Sequence, residues 1–394
     1  MPLIGIKDLD LQNKRVLIRE DFNVPIDKGV ITSDARILAA LPTIQYALKK
    51  GAAVILLSHL DRPVEGHITP ELSLAPIAKR LQELLAKPVG FIANWLDGFK
   101  ISPGEVVLCE NVRFQTGEKK NDSTLAKKIA KLGDIFVMDA FATAHRSEAS
   151  TVGVAQFSSE VCAGLLLMSE IKALNQALKN PNRPLLAIVG GSKVSTKLML
   201  LSSLFNKVNF LILGGGIANT FLVAQGYSIG RSLFEADLVN EAKKLLALAK
   251  QLSVEVVLPN DVIVAKEATA TAVTSIKKIV EVKENEMILD IGPESIKRYI
   301  EYVRRAASIL WNGPLGVFEL APFEQGTSAL SHAIADSSAF SVAGGGDTLA
   351  AIEKYAISDK ISYISTGGGA FLEFIQGETL PALSVLQERI KGRK

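Results

Sequence analysis

Short apolar runs rich in valine and isoleucine alternate with helix-like segments throughout the first half of the chain. The spacing predicts helices such as Ser33 to Lys50 and Leu72 to Ala86 between these runs. The runs are continuous rather than alternating in hydrophobicity, which is typical of strands covered on both faces of a mainly parallel sheet. The predicted strands are RVLIR at 15–19, AVILLS at 53–58, PVGFI at 88–92, VVLCE at 106–110 and IFVMD at 135–139.

The second half shows the same alternation of strands and helices, although its sequence does not repeat that of the first half. We therefore expect a second α/β unit with a parallel sheet. Its predicted strands are PLLAIVG at 184–190, NFLILG at 209–214, VEVVLP at 254–259, SILWNG at 308–313, FSVAGG at 340–345 and ISYIST at 361–366.

Between the halves lies the segment Ala163 to Lys179, AGLLLMSEIKALNQALK, which predicts a single helix. Its apolar residues recur at near-helical spacing, and Asn180-Pro181 ends the run. Periodicity alone fits an ordinary amphipathic core helix equally well. The polar chemistry before the segment uses arginine and histidine, whereas glycine clusters dominate after it. This contrast favours a spacer between two lobes.

Length and composition agree with two domains. A chain of 394 residues exceeds what one hydrophobic core usually organises, and 48% hydrophobic residues are enough to fill two. The formal charge of +3 argues against a protein that coats polyanions, but it leaves room for a local basic pocket. Cys109 and Cys162 have no metal-like spacing, so we expect buried free thiols in a reducing compartment.

The N-terminus has no basic head followed by an apolar segment, so no secretory signal is predicted. The uncharged window from Val208 to Gly230 contains a glycine triplet and polar amides. It fits a buried strand, a tight turn and a helix better than a membrane span. We therefore expect a soluble, cytoplasmic protein.

Four predicted strands of the second half end in glycine and lead into helix-compatible segments. Glycine lets a ligand approach the backbone, and free amides at a helix N-terminus favour an anion. Tight turns also use glycine for purely steric reasons, but four such turns favour a nucleotide site. None fits the Walker pattern or a GxGxxG fingerprint followed by a ribose-binding acid. The four are Gly190-Gly191-Ser192-Lys193, Gly214-Gly215-Gly216, Gly344-Gly345-Gly346-Asp347-Thr348 and Gly367-Gly368-Gly369.

Charged residues accompany these turns. Lys193 and Lys197 follow the first glycine pair, and we expect them one helical turn apart near a helix start. They are either a solvated pair or contacts to transferring phosphate oxygens. Asp347 opens a predicted helix, where it is either an N-cap or a ligand of magnesium beside phosphates. Glu319, in the loop that begins at Asn312, either accepts hydrogen bonds from a ribose or is simply exposed.

In the first half, arginine, histidine and amide side chains follow the predicted strands. Any one of these arginines, taken alone, is explained equally well as an exposed surface residue or as a partner in a salt bridge. The carboxyl ends of parallel strands meet at one edge, however, and arginine is favoured where a phosphate or carboxylate needs several planar donors. The residues are Asp21, Asn23, Arg36, His59, Arg62, Arg113, His145 and Arg146.

With these residues in place, the sequence resembles the phosphoglycerate kinase family from end to end. The motifs that carry the resemblance occur in the family's order: REDFNVP, ITSDARI, SHLDRP, CENVRFQTGEKKND, DAFATAHR, GGSKVSTK, GGGIANTFL, WNGPLGVFE, GGGDT and STGGGA. The resemblance implies an α/β fold of two Rossmann-like parallel-sheet domains joined by a hinge helix. We expect residues 1–169 to bind phosphoglycerate and residues 170–376 to bind nucleotide, with 377–394 packing back on the first domain.

The resemblance also implies the reaction, which is reversible phosphoryl transfer from 1,3-bisphosphoglycerate to ADP, giving 3-phosphoglycerate and ATP with Mg²⁺ as cofactor. It implies a monomer without nucleic-acid or membrane partners. Because the substrates start on separate lobes, we expect the lobes to close about the hinge helix and exclude water. Phosphoryl transfer needs no covalent protein nucleophile, so the protein supplies positioning and charge balance.

Residue roles follow from the matching motifs. Arg36 and Lys193 are the expected catalytic residues, and Asp347 is the expected magnesium ligand. The expected phosphoglycerate site comprises Asp21, Asn23, Arg36, His59, Arg62, Arg113 and Arg146. The expected nucleotide site comprises Lys193, Lys197, Gly214, Gly215, Gly216, Asn312, Glu319, Gly345, Gly346, Asp347 and Thr348.

Some positions depart from the family pattern, namely Asp61, Ala142 and Ser147-Glu148. Of these, Glu148 is expected to neutralise Arg146 in part.

Two other functions remain open from the residues alone. A two-lobed solute-binding protein is disfavoured by the missing export signal, and a nicotinamide-dependent dehydrogenase is disfavoured by the missing fingerprint.

Overall fold

The computed structural model describes residues 3–391. It divides into two compact units, one formed by Met1–Lys172 with Thr379–Lys394 and the other by Ala173–Glu378. The division falls inside the helix Leu165–Leu178, which corresponds to the segment singled out in the sequence. Each unit has its own sheet and its own apolar core.

The first unit is built on a six-stranded parallel sheet. The sheet strands are β1 (Arg15–Arg19), β4 (Ala53–Leu57), β5 (Val89–Ile92), β6 (Val106–Cys109), β7 (Ile135–Met138) and β8 (Glu160–Ala163). Two further strands, β2 (Ile26–Asp27) and β3 (Val30–Ile31), form a separate short hairpin. The sheet order is β5-β6-β4-β1-β7-β8. Every residue of β4 is buried, as coverage on both faces requires.

Helices cover this sheet, and their starts differ from those predicted. They are α1 (Ala35–Lys49), α2 (Ala75–Leu85), α3 (Ser123–Ala130), α4 (Val154–Phe157) and α5 (Leu165–Leu178). The predicted start of α1 at Ser33 is wrong because Asp34 occupies the cap position. The predicted start of α5 at Ala163 is wrong because residues 160–163 pair with β7 as a strand.

The second unit repeats the architecture with a six-stranded sheet of parallel pairs. Its strands are β9 (Leu185–Val189), β10 (Phe210–Leu213), β11 (Glu255–Val257), β12 (Asp261–Ala265), β13 (Ser275–Lys278), β14 (Met287–Ile291), β15 (Ser308–Asn312), β16 (Phe340–Ala343) and β17 (Tyr363–Ile364). The main sheet has the order β11-β10-β9-β15-β16-β17. Its helices are α6 (Leu198–Leu204), α7 (Gly215–Ala224), α8 (Val239–Gln251), α9 (Pro293–Arg305), α10 (Gln325–Ala335), α11 (Gly346–Lys354) and α12 (Gly368–Gln376).

The strands β12, β13 and β14 form a separate antiparallel sheet that the sequence reading missed. Its central strand, DVIVA, is wholly buried and has the continuous apolar pattern of the other strands. The edge strand SIKK is mostly exposed and gives little hydrophobic signal. The predicted α/β class is nevertheless confirmed for both units.

Each main sheet has a switch point, where successive connections along the chain lead to opposite sides of one strand. The strand β1 lies between β4 and β7, and β9 lies between β10 and β15. Ligands of open α/β sheets bind outside the carboxyl ends of the strands at such points. The residues that follow β1, β4 and β7, and those that follow β9, β10 and β15, are therefore the first places to look for function.

The last helix, α13 (Pro381–Lys391), belongs to the first unit although the second unit precedes it in the chain. The amide of Ala382 donates to the carbonyl of Ala144 at 3.1 Å, and Nη2 of Arg389 donates to the carbonyl of Ser158 at 2.6 Å. Residues 392–394, the last part of the segment 377–394 that is predicted to pack on the first domain, lie outside the described residues. Within residues 3–391, no helix combines the length and apolar character of a membrane span.

Candidate functional site

A carboxylate at the end of β1 organises the polar residues of the first unit. Asp21 is buried, and its Oδ2 lies 3.1 Å from Nη1 of Arg36, which opens α1. The same Nη1 donates to the carbonyl of Asn23 at 2.8 Å. His59, after β4, brings Nδ1 within 3.8 Å of Oδ1 of Asp21. Four of the predicted residues therefore meet at the switch point.

The turn after β4 is tied to the same place. Oδ1 of Asn23 accepts a hydrogen bond from the amide of Asp61 at 2.8 Å, and Nη1 of Arg113 donates to the Asp61 carbonyl at 2.7 Å. Asp61 has a positive φ of 51°, a conformation in which glycine is most comfortable. Arg62 follows directly and is exposed, which leaves its guanidinium facing solvent.

Glu148 engages two of the predicted arginines. Its Oε1 lies 3.2 Å from Nη2 of Arg113 and 3.7 Å from Nη1 of Arg146. The carboxylate is buried, so its charge is poorly screened. The expected neutralisation of Arg146 is present, and it extends to Arg113.

Arg19, at the end of β1, is a member of this group that sequence reasoning missed. It is fully buried, Nη2 lies 3.4 Å from Nδ1 of His59, and Nε donates to Oγ of Ser150 at 2.9 Å. A charged residue that closes an otherwise buried apolar strand, RVLIR, was the available signal. We call Arg19, Arg36, His59, Arg113 and Arg146 the basic cluster.

The electrostatics of the basic cluster favour an anion. Burial lowers the pKa of His59 well below its ordinary value, and the positive charges of the four arginines of the cluster lower it further. The imidazole is therefore neutral near neutral pH, so its contact with Asp21 is not an ion pair. Guanidinium groups gathered at one sheet edge provide multidentate donors for phosphate or carboxylate.

In the second unit, the turns after β9 and β15 pack directly on each other. The amide of Gly190 donates to the carbonyl of Asn312 at 3.0 Å. A Cβ on Gly190 would overlap with the carbonyl oxygen of Pro314, and Gly313 has a positive φ of 115°. These glycines are required because two backbones meet at the switch point.

The triplet after β10 has the same explanation. A Cβ on Gly214 would lie 2.8 Å from Cα of Leu315, and Gly215 combines a φ of +63° with a Cβ position 2.7 Å from the carbonyl oxygen of Gly191. A Cβ on Gly216 would overlap with the carbonyl oxygen of Ser192. The expectation that these glycines mainly admit a ligand is incomplete, because they first allow neighbouring turns to approach.

The two lysines lie before α6, not on it. The helix begins at Leu198, so the prediction that one turn of helix separates the two lysines is wrong. Nζ of Lys197 donates to the carbonyls of Gly190 at 2.6 Å and Asn312 at 3.0 Å. Burial lowers the pKa of Lys197 to about 8, with the nearby charge of Asp347 acting in the opposite direction. Lys193 is exposed.

The start of α11 is tied to the end of β15. Nδ2 of Asn312 donates to the carbonyl of Gly344 at 2.7 Å, and Oγ1 of Thr348 accepts the amide of Gly313 at 2.7 Å. Gly345 has a φ of +99°, and Gly346 has open space where a Cβ would be. The amides of the first turn of α11 have no partner within the helix, and such a helix start suits an anion.

A cavity of about 490 Å³ lies beside these turns, within the range of small-molecule sites. Both Glu319 and Asp347 reach it, together with Gly215 and Gly216. Much of the remaining lining is apolar: Leu233, Pro259, Met287, Leu289 and Val317. An apolar wall with acidic and amide groups at its edge fits a nucleoside whose phosphates point towards the glycine turns.

Asp347 offers one exposed carboxylate in the first turn of α11. Among residues 3–391, no group of three or more histidine, cysteine, aspartate or glutamate side chains could hold a metal ion by itself. Magnesium, however, often binds through one or two carboxylates plus substrate phosphates and waters. The donor set therefore fits magnesium that arrives with a nucleotide, and not a resident all-protein site.

Comparisons with known proteins agree with this architecture. The family model described as phosphoglycerate kinase matches residues 6–378. A phosphoglycerate kinase of Francisella philomiragia is 59% identical over 389 residues, covering 99% of each chain. The structure of phosphoglycerate kinase from Coxiella burnetii has a TM-score of 0.95 and 54% identity, covering 98% of this chain and 100% of that one. The enzyme structure from Pyrococcus horikoshii has a TM-score of 0.84 and 34% identity, with 98% of each chain covered. The chain belongs to the phosphoglycerate kinase family.

Proposed function

We propose that this chain transfers a phosphoryl group reversibly between 1,3-bisphosphoglycerate and ADP, giving 3-phosphoglycerate and ATP. The observation that carries the proposal is the family match over residues 6–378, with relatives 59% identical along essentially the whole chain. The chemistry of the two units is consistent with it, because one gathers arginines for an anionic substrate and the other combines a cavity with amide-lined turns.

The basic cluster, with Asp21, Asn23 and Arg62, is the proposed phosphoglycerate site. Asp21 fixes the position of Arg36 through its 3.1 Å contact. A carboxylate at this point also accepts hydrogen bonds from a substrate hydroxyl. The arginines then bind the phosphate and carboxylate groups, with several donors each.

The cavity beside Glu319 is the proposed nucleoside site, and Glu319 accepts hydrogen bonds from the ribose. Lys197 and the amides of Gly216 and Gly346 hold the phosphates, while the amide of Gly215 donates to the carbonyl of Leu315 and fixes the turn. Asn312 and Thr348 support these turns through the hydrogen bonds described above. Asp347 would hold magnesium, which when bound neutralises charge on the nucleotide phosphates.

The transfer itself needs no protein nucleophile. A terminal phosphate oxygen of ADP forms a bond to the phosphorus of the acyl phosphate, while the bond from that phosphorus to the acyl oxygen breaks. The carboxylate of 3-phosphoglycerate leaves with the electron pair. Arg36 and Lys193 balance the negative charge on the transferring oxygens, and the exposed position of Lys193 leaves it free to reach them.

We further propose that the two units close on each other when both substrates are bound, with bending at α5, inside which the division between the units falls. Closure excludes water and so suppresses hydrolysis of the acyl phosphate. Small-angle scattering should show a smaller radius of gyration with both substrates than with either one. An unchanged radius would contradict closure.

One assay tests the reaction. ATP-dependent phosphorylation of 3-phosphoglycerate, coupled to NADH oxidation by a separate dehydrogenase, should proceed only with the chain, ATP and Mg²⁺ present. A solute-binding protein would bind ligand without turnover, and a dehydrogenase would oxidise NADH without ATP. A monomer in the cytoplasm remains the expected state, which light scattering and cell fractionation would test.

A further inference from the structure

The segment Leu233 to Glu235 connects the cavity wall to the turn that carries the two lysines. The carbonyl of Leu233 accepts a hydrogen bond from Nδ2 of Asn219 at 3.0 Å, and the amide of Glu235 donates to Oγ1 of Thr220 at 3.2 Å. Both partners lie on α7, which begins at Gly215. The segment is therefore fixed to the helix whose first residues form one of the glycine turns.

The side chain of Glu235 reaches from this segment to the lysine turn. Its Oε2 accepts the backbone amide of Ser195 at 2.8 Å, and its Oε1 accepts the Ser195 hydroxyl. Ser195 lies midway between Lys193 and Lys197. The carboxylate of Glu235 therefore binds the middle residue of the 193–197 turn through both of its oxygens, and this turn carries both ammonium groups.

The turn has other restraints: Val194 is buried, and the remaining contacts are local or compete with the ligand. Oγ1 of Thr196 donates to the carbonyl of Lys193 at 2.9 Å, and the amide of Lys197 donates to the carbonyl of Val194 at 2.8 Å. Nζ of Lys197 is bonded to the carbonyls of Gly190 and Asn312, and a phosphate would compete for the same donors. The Glu235 contact uses none of the donors of Lys197, so a bound phosphate does not compete for it.

The carboxylate is well suited to remain charged. Partial burial acts to raise the pKa of Glu235, but the hydrogen bonds from Ser195 and Val194 and the charge of Lys193 hold it below its ordinary value. Hydrogen bonds to a charged acceptor are roughly twice as strong as neutral ones. The contact therefore keeps its strength throughout the neutral pH range.

We propose that Glu235 is a positioning residue for phosphoryl transfer, which holds the 193–197 turn so that Lys193 meets the transferring phosphate and Lys197 meets the nucleotide. This inference rests on the proposed function of the two lysines. Glu235 acts through Lys193 and Lys197 and does not itself touch the substrate. Leu233, two residues before it, lines the cavity, so the same segment also forms part of the cavity wall.

The test compares Glu235→Ala and Ser195→Ala with the wild type in the coupled assay, with thermal denaturation as the check on folding. Glu235→Ala should lower kcat/KM for ATP about tenfold or more, the usual effect of losing hydrogen bonds to a charged group. KM for 3-phosphoglycerate should stay unchanged. Ser195→Ala, which removes one of the two hydrogen bonds, should have a smaller effect in the same direction. The matched control is Glu241→Gln, a half-buried glutamate on α8 paired only with Lys244 among the described ion pairs, which should leave all constants unchanged.

The deciding measurement is a double-mutant comparison. In a Lys193→Ala background, Glu235→Ala should cause little further loss of kcat, since Lys193 is the lysine that meets the transferring phosphate. The part of the effect that passes through Lys197 should remain, as a higher KM for ATP. If Glu235→Ala lowers kcat in this background as much as it does in the wild type, its role is generally structural and the proposal is overturned. Wild-type kinetics in the single variant Glu235→Ala would also overturn it. If instead the wild type is active and Lys193→Ala retains full activity, the proposed role of Lys193 fails first. The two failures are therefore distinguishable.

Discussion

The buried ammonium of Lys197 should make nucleotide binding weaken as the pH rises. It is held by two carbonyl oxygens, and burial lowers its pKa to about 8. A bound phosphate favours the charged form and should return this pKa towards the ordinary value of about 10.4. Above pH 8 the free protein must then take up a proton in order to bind, so protons and nucleotide bind together.

The size of the effect follows from the two pKa values. The protonated fraction of free Lys197 falls from about nine-tenths near pH 7 to about one-tenth near pH 9, while the complex stays protonated. The dissociation constant for ADP should therefore rise about tenfold over that range, equivalent to about 1.4 kcal/mol. Phosphate groups complete their ionisation near pH 6 and contribute little to this change.

Isothermal titration calorimetry of ADP binding at both pH values measures this directly. Proton uptake shows up as a dependence of the binding enthalpy on the ionisation enthalpy of the buffer. The matched control is Lys197→Arg, whose guanidinium stays charged throughout and should give a flat profile. Equal affinity of the wild type at the two pH values would refute the reasoning, and so would an equal decline in Lys197→Arg.

Other substitutions test other parts of the site. Lys193→Ala and Arg36→Ala should each lower kcat about a hundredfold or more, as expected for charge-balancing donors in a dry site, and near-native turnover would remove that residue from the mechanism. Gly216→Ala should destabilise the protein by about 1–3 kcal/mol in urea unfolding, because its Cβ has no room, whereas Gly368→Ala should not. A stable, active Gly216→Ala variant would contradict the packing of the turns. Asp347→Asn should raise the Mg²⁺ concentration for half-maximal rate about tenfold or more, and an unchanged Mg²⁺ titration would exclude it as a ligand.

Much of the fold was predictable because buried parallel strands have an unmistakable pattern. The strand β1 was predicted with its observed bounds, 15–19, since every residue after the first is buried. The edge strand β13 was missed because its residues are mostly exposed and polar. The start of α5 was misplaced because EVCA at 160–163 is short and merges with the apolar face of the helix that follows.

The family motifs predict which residues form the site, but they do not predict the contacts among those residues. No sequence pattern indicates that Gly190 must be glycine because Pro314 lies against it, since the two are far apart in the chain. Nor does spacing reveal that Glu235 reaches Ser195. Such contacts depend on how turns from different strands meet at the sheet edge, which only the folded chain determines.

The membership of α13 in the first unit has a consequence for synthesis in the cell. The ribosome finishes the whole of Ala173–Glu378 before it makes the helix that the first unit needs. At about 5–20 residues per second, that delay lasts on the order of 10–40 s. During this time the surface around Ala144 and Ser158, which α13 will later contact, is uncovered. This surface of a nascent chain is thus exposed to chaperones and to premature association until α13 has been made.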